Sequence, residues 1–211
     1  MRAVSTIVRR ACPLAIALAA LLAPGAATAV DFTEAELTAL KAGEVVRHEL
    51  PSSRRGGFYG GSSFAIVDAP IGAVWKAIQD WSAYPKAFPN TTETVELSRK
   101  GERSLVRMKI GHPVASVQYH VEMTRDARKR ILAFAMVKEL PNDLDDVRGY
   151  WRLFEQPGGR TLVAYVVAVR APMGLVNLVG PELGARAVAA LLNVPGSLKA
   201  WIEGPGAARY R

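Results

Sequence analysis

FAIVDAPIGAVWKAIQDWSAYPKAFP, residues 64–89, is the stretch whose reading decides the fold. Residues 64–67 gather aromatic and β-branched side chains after the Gly60-Gly61 pair, which predicts a short strand. Asp68-Ala69-Pro70 then turns the chain. Asp68 is a helix-capping residue type, and Pro70 sits near the first helical position, where a missing N–H costs nothing. Val74, Trp75 and Ile78 recur at helical spacing, so residues 71–80 turn one apolar stripe to a core. Tyr84-Pro85 and Phe88-Pro89 halt any longer helix and leave two short pieces joined at Trp81-Ser82.

Beyond Pro89 the period changes. Residues 91–98 and 104–110 read as strands about a turn at Gly101. In 115–124, Val117, Tyr119, Val121 and Met123 take one face while Gln118, His120 and Glu122 take the other, the pattern of a half-buried antiparallel strand. Residues 131–139 are nearly continuously apolar, and 140–146 (LPNDLDD) form an acidic loop. Residues 147–155 and 161–171 flank Pro157-Gly158-Gly159, a hairpin signal. Successive hairpins make a meander, and its apolar face needs a cover. That cover comes last. Pro181 starts a helix rich in Ala and Leu, Pro195-Gly196 interrupts it, and Leu198, Trp201 and Ile202 make a second apolar face before Gly204-Pro205-Gly206. Residues 205–211 read as a loose basic tail.

Strand, Ala-Pro turn, Trp-bearing helix and Tyr-Pro…Phe-Pro piece, in that order, resemble the opening of the START-like proteins. These are also called the SRPBCC or polyketide cyclase/coenzyme Q-binding superfamily. Ala69, Pro70, Val74, Trp75, Asp80, Tyr84, Pro85, Phe88 and Pro89 stand at the matching places, and the resemblance covers most of residues 62–204. It implies an α+β helix-grip fold: a curved antiparallel sheet wrapped around a C-terminal helix, enclosing an apolar cavity. The resemblance is specific for a scaffold. It carries no catalytic set.

The chain has 211 residues, half of them apolar, enough for one substantial core. Residues 1–29 read as an export signal: Arg2, Arg9 and Arg10 precede an apolar stretch over 13–23, and Ala27-Thr28-Ala29 is a small-residue cleavage site. Cleavage after Ala29 would remove Cys12, the only cysteine, and leave a protein suited to the periplasm but without disulfides. Those three arginines account for 3 of the +8 formal charge and leave +5 for the rest. Such an excess favours an anionic membrane surface, and no nucleic-acid-binding pattern accompanies it. Residues 30–61 are read as a lead-in: a helix begun by a Thr33/Glu36 capping box, then a Gly- and Ser-rich connection over 51–61 that holds Arg54-Arg55. No segment after the signal reads as membrane-spanning.

Nucleophilic catalysis finds no support. There is no Gly-x-Ser-x-Gly elbow, and His48, His112 and His120 lack metal-ligand spacing. The acidic loop with Asp143, Asp145 and Asp146 lacks the spacing of a Ca²⁺ loop. No cofactor is expected. What remains is apolar: Trp75, Tyr119, Met123, Phe134, Met136, Trp151, Tyr165, Met173 and Trp201 are candidate cavity walls, or else ordinary core. Arg107, Arg152 and Arg170 fall on strands, where an inward guanidinium would hold a ligand headgroup and an outward one would mean little. The expected function is a monomeric, exported binder or carrier of a hydrophobic small molecule, such as a lipid, quinone or sterol-like isoprenoid. It would load at a membrane through a gate formed by residues 51–61 or 171–181. A polyketide cyclase-like enzyme and an envelope interaction module without a ligand are the alternatives.

Overall fold

The structure is a computed structural model and describes residues 16–19, 27–51, 57–111 and 116–211. Arg2, Arg9, Arg10, Cys12, much of the expected signal, the Arg54-Arg55 pair and His112 lie outside the described residues. The chain divides into two units, Met1–Leu37 and Thr38–Arg211. In the first, β1 (Ile16–Ala19) pairs antiparallel with β2 (Ala27–Val30). The expected capping box then opens α1 (Glu34–Lys41): the Glu36 N–H donates to Thr33 Oγ1 at 3.2 Å, and the Thr33 N–H donates to the Glu36 carboxylate at 2.8 Å.

The second unit is an eight-stranded, wholly antiparallel sheet. Its strands are β3 (Val46–Glu49), β4 (Phe58–Val67), β5 (Thr91–Lys100), β6 (Arg103–Gly111), β7 (Ser116–Asp126), β8 (Ile131–Met136), β9 (Asp146–Gln156) and β10 (Arg160–Arg170). They lie in the order β3-β4-β10-β9-β8-β7-β6-β5. From β5 onward each strand pairs with its sequence neighbour, as hairpin signals dictate. The closing step brings β10 back against β4, with Tyr165 opposite Ser63. Here the sequence reading is corrected. Gly60-Gly61 does not break the chain before β4 but lies inside it, with φ of 128° and 153°. A Cβ at Gly60 would stand 2.2 Å from the Val167 carbonyl oxygen, so only glycine lets β4 pass this close to β10.

Alternation sorts the two faces of the sheet. Val106 and Met108, Val121 and Met123, Leu132 and Phe134, Trp151 and Leu153, and Val163, Tyr165 and Val167 share one face and one buried core. The helices of the opening stretch pack on it. In α2 (Ile71–Ala77) Val74 and Ala77 are buried; of the expected stripe, Val74 and Ile78 are buried while Trp75 is only partly so. A 3₁₀ turn at Trp81–Ala83 leads into α3 (Tyr84–Ala87), which buries Tyr84. Asp68 does not cap α2: Pro70 holds the cap position, and the Asp68 N–H donates to Glu203 instead. At the far end, α5 (Val194–Glu203) buries Leu198 and Ile202 in the same core. Each is worth about 1.5–3 kcal/mol by apolar burial.

Between β10 and α5 lies α4 (Met173–Leu192), and it differs from expectation in two ways. It is long and apolar enough to cross a membrane by length and composition alone, a property the sequence reading had denied to everything after the signal. It is also broken: Gly180 takes φ 70° and ψ 173°, so Pro181 starts a second helical piece and neither piece reaches spanning length. Of its residues only Leu192 is buried. The interruption expected at Pro195 falls instead at Asn193, because Pro195 occupies the first turn of α5, where its missing N–H is harmless.

The basic tail is not loose. Arg209 makes an ion pair with Asp80 and donates to Ser82 Oγ at 2.7 Å, and Tyr210 is 5% exposed, its hydroxyl 3.2 Å from the Asp80 carboxylate. Trp201 Nε1 donates to that same hydroxyl at 3.0 Å. The side-chain hydrogen bond from Arg209 is the main cause holding the Asp80 carboxyl below its ordinary value of 3.8. A lowered folded-state value gives stability that is present above the ordinary value and lost as pH falls through the folded one. Asp80→Asn is therefore expected to lower the thermal midpoint at pH 7, with the gap to wild type closing as pH falls below 3.8. Melting both proteins from pH 7 to pH 3 checks this; a gap independent of pH would show that the carboxylate charge does not hold the tail.

Candidate functional site

The concave face of the sheet, α3 and the two C-terminal helices enclose a two-part cavity. An inner chamber of about 110 Å³ is walled by Tyr84, Phe88, Met108, Tyr119, Met123, Phe134, Trp151 and Tyr165, among others. Its rings touch in sequence. Tyr84 meets Phe88 edge-on at 4.8 Å, Phe88 approaches Trp151 at 6.2 Å, Trp151 lies 4.5 Å from Tyr165, and Tyr165 stacks on Phe134 at 6.1 Å. An outer cavity of about 1100 Å³ continues from it, sharing Phe88, Thr91, Ile110, Tyr119 and Leu191 as wall. One side of the outer cavity is sheet, including Tyr59, Val117, Val147 and Val169. The other is α4, through Leu175, Val176, Val179, Leu183, Ala187 and Leu191. Space of this size and polarity suits a lipid-sized apolar molecule.

Of the nine candidate wall residues, Tyr119, Met123, Phe134, Trp151 and Tyr165 meet in the inner chamber. Four lie elsewhere. Met173 is 71% exposed at the start of α4 and is not among the described walls of either chamber, which corrects its assignment as a wall. Trp75 packs on the core from α2 under the Arg130 guanidinium, at 5.7 Å. Met136 and Trp201 also pack on the core, outside the described walls of both chambers, and Trp201 spends its N–H on Tyr210.

The three headgroup arginines are corrected as well. Val106, Trp151 and Val169 take the inward positions, so alternation throws Arg107, Arg152 and Arg170 to the opposite face of the sheet. There Arg107 pairs with Glu93, Arg152 lies over Phe154 at 4.8 Å, and Arg170 lies over Phe58 at 5.2 Å and near Asp145. None reaches the cavity. The only charged residues on its described walls are Glu49 and Arg186, both in the outer part and both missed from the sequence. The α4 wall residues were missed too. Their signal was an apolar helix whose residues face space on two sides, which cannot be told from a core helix by spacing.

Polar groups in the inner chamber are few. The Tyr84 hydroxyl donates to the Ile78 carbonyl at 2.7 Å, and burial raises its pKa. Burial likewise pushes the Tyr119 phenol up to about 12 and the Tyr165 phenol higher still, with Tyr119 adding to the latter shift. All three are neutral donors at any physiological pH. No group of three or more His, Cys, Asp or Glu side chains able to hold a metal occurs among the described residues.

Against known proteins, a family model described as polyketide cyclase/dehydrase and lipid transport matches residues 62–194. No curated protein matches the chain in sequence. Solved structures do match in fold. The Zhui aromatase/cyclase from Streptomyces sp. R1128 is 21% identical, with a TM-score of 0.56 over 71% of this chain and 98% of that one. A START superfamily protein from Mycobacterium smegmatis is 17% identical, with a TM-score of 0.56 over 67% and 95%. A STAR-related lipid transfer protein from Xanthomonas axonopodis is 13% identical, with a TM-score of 0.55 over 74% and 98%.

Proposed function

The chain belongs to the polyketide cyclase/dehydrase and lipid transport family, of START-like fold, and from that premise we propose that it binds and carries a hydrophobic small molecule outside the cytoplasm. One observation carries the reading: an apolar cavity of about 1100 Å³ runs under α4 into the ring-lined chamber, with two charged side chains on its described walls. A lipid, quinone or sterol-like isoprenoid meets the same problem in any aqueous compartment, because each methylene left in water costs about 0.8 kcal/mol. Loading follows from α4. Met173 and Leu178 are 71% and 63% exposed, the Gly180 break supplies a hinge, and the net positive charge favours an anionic bilayer. Export rests on the charge and apolar pattern of residues 1–29.

The test is mass spectrometry of an organic extract of the protein purified from its own host's envelope. A lipid at near one mole per mole, enriched over the membrane background, is the expected result. A clean extract, still clean after incubation with total host lipid, overturns the carrier reading.

A further inference from the structure

The inner chamber holds two phenols that nothing in the fold uses. Tyr119 reaches it from β7 and Tyr165 from β10, across the ring surface of Phe134 and Trp151. Tyr165 is 7% exposed, yet neither hydroxyl has a hydrogen-bond partner among the described residues. Neither is sealed in packed protein: both rings line the chamber, and the oxygens are not among the buried, unsatisfied side-chain atoms. Tyr84 and Tyr210 show the contrast, since each of those hydroxyls is tied down within the protein. A cargo that covers such a hydroxyl without accepting its hydrogen bond leaves it unpaired at a cost of about 1–3 kcal/mol, and a cargo that accepts the bond avoids that cost.

We infer that the cargo carries an uncharged acceptor oxygen, which enters first and is held in the inner chamber by the Tyr119 and Tyr165 hydroxyls. This rests on the carrier reading and narrows it to one ligand chemistry, a neutral oxygenated lipid such as a long-chain ketone, quinone, ester or ether. The walls exclude the charged alternatives. No charged side chain lines the inner chamber in the described structure, so a carboxylate or phosphate set there would be desolvated without a counter-ion. The raised phenol pKa values agree, since both groups stay protonated and able to donate. Size fixes the orientation. The inner chamber takes a small group, and the chain runs back through the outer cavity beneath α4.

The experiment compares octanophenone with octylbenzene, which share a carbon skeleton and differ by one carbonyl. Each displaces a neutral apolar fluorophore from the full chain, in wild type, Tyr119→Phe, Tyr165→Phe and the double variant. The ketone-to-hydrocarbon affinity ratio is expected to fall roughly five- to tenfold in the double variant, by part of that in each single one, with octylbenzene affinity unchanged. A ratio unmoved by all three variants, with octylbenzene still bound, overturns the phenol assignment and leaves the carrier reading standing. Failure of both compounds to bind wild type overturns both. If the double variant does not fold, the two single variants decide by the same ratio.

Discussion

Replacing Trp151 with alanine is expected to cost about 3–5 kcal/mol of folding stability. The indole is 3% exposed and stands at the centre of the ring series, 4.5 Å from Tyr165 and 6.2 Å from Phe88. It therefore joins the β9–β10 half of the sheet to Phe88, which closes α3. Truncation removes the apolar area and leaves a void beside a chamber that already exists, so the surroundings have little to collapse onto. For a chain of this length the loss corresponds to a fall in thermal midpoint of roughly 10 °C. Trp151→Phe, which keeps a ring, is expected to lose less than half as much. Met173→Ala, at a site 71% exposed, is expected to stay within about 0.5 kcal/mol of wild type. Denaturant unfolding of the three variants checks the order. Equal losses at positions 151 and 173 would mean that burial does not govern this core.

Gly149→Val is expected to be the other severe change, at about 3 kcal/mol or more. Gly149 sits on β9 opposite Phe134 of β8 and Val167 of β10. A Cβ there would stand 2.0 Å from the Val166 carbonyl oxygen and 2.6 Å from Phe134 Cζ. The phenyl ring crosses over the glycine to reach the inner chamber, where it stacks on Tyr165. A valine would therefore strike backbone on one side and expel the ring on the other. Combining it with Phe134→Ala separates the two clashes. The double variant is expected to be more stable than the sum of the single losses predicts, by the side-chain share of the clash, while the backbone share persists. Strict additivity would show that the ring and the glycine are not in contact.

The sequence by itself determined the fold class and the order of elements. Helical spacing at Val74, Trp75 and Ile78, alternation through Val117–Met123 and the hairpin signal at Pro157-Gly158-Gly159 are local patterns, set by backbone geometry within a few residues. The same locality made the Thr33/Glu36 capping box readable. Where a reading depended on what lies across space, the sequence was silent or misled. Gly60-Gly61 looked like a break because a glycine pair usually is one. Its role follows from the nearness of the Val167 carbonyl, on a strand a hundred residues later. Residues 205–211 looked like a loose tail until Asp80 was placed beside Arg209.

The site divides in the same way. That Tyr119 and Met123 share a face was legible from their spacing. Which face is the concave one is fixed only by the whole sheet, and the same choice sends Arg107, Arg152 and Arg170 to the other side. Met173 and Leu183 are equally apolar in sequence, yet one meets solvent and the other lines the cavity, because the turn of α4 and its break at Gly180 decide the direction of each. Local periodicity names the faces of an element. Only packing against distant elements assigns those faces to core, cavity or water, since burial is a property of the assembled surface and not of any one segment.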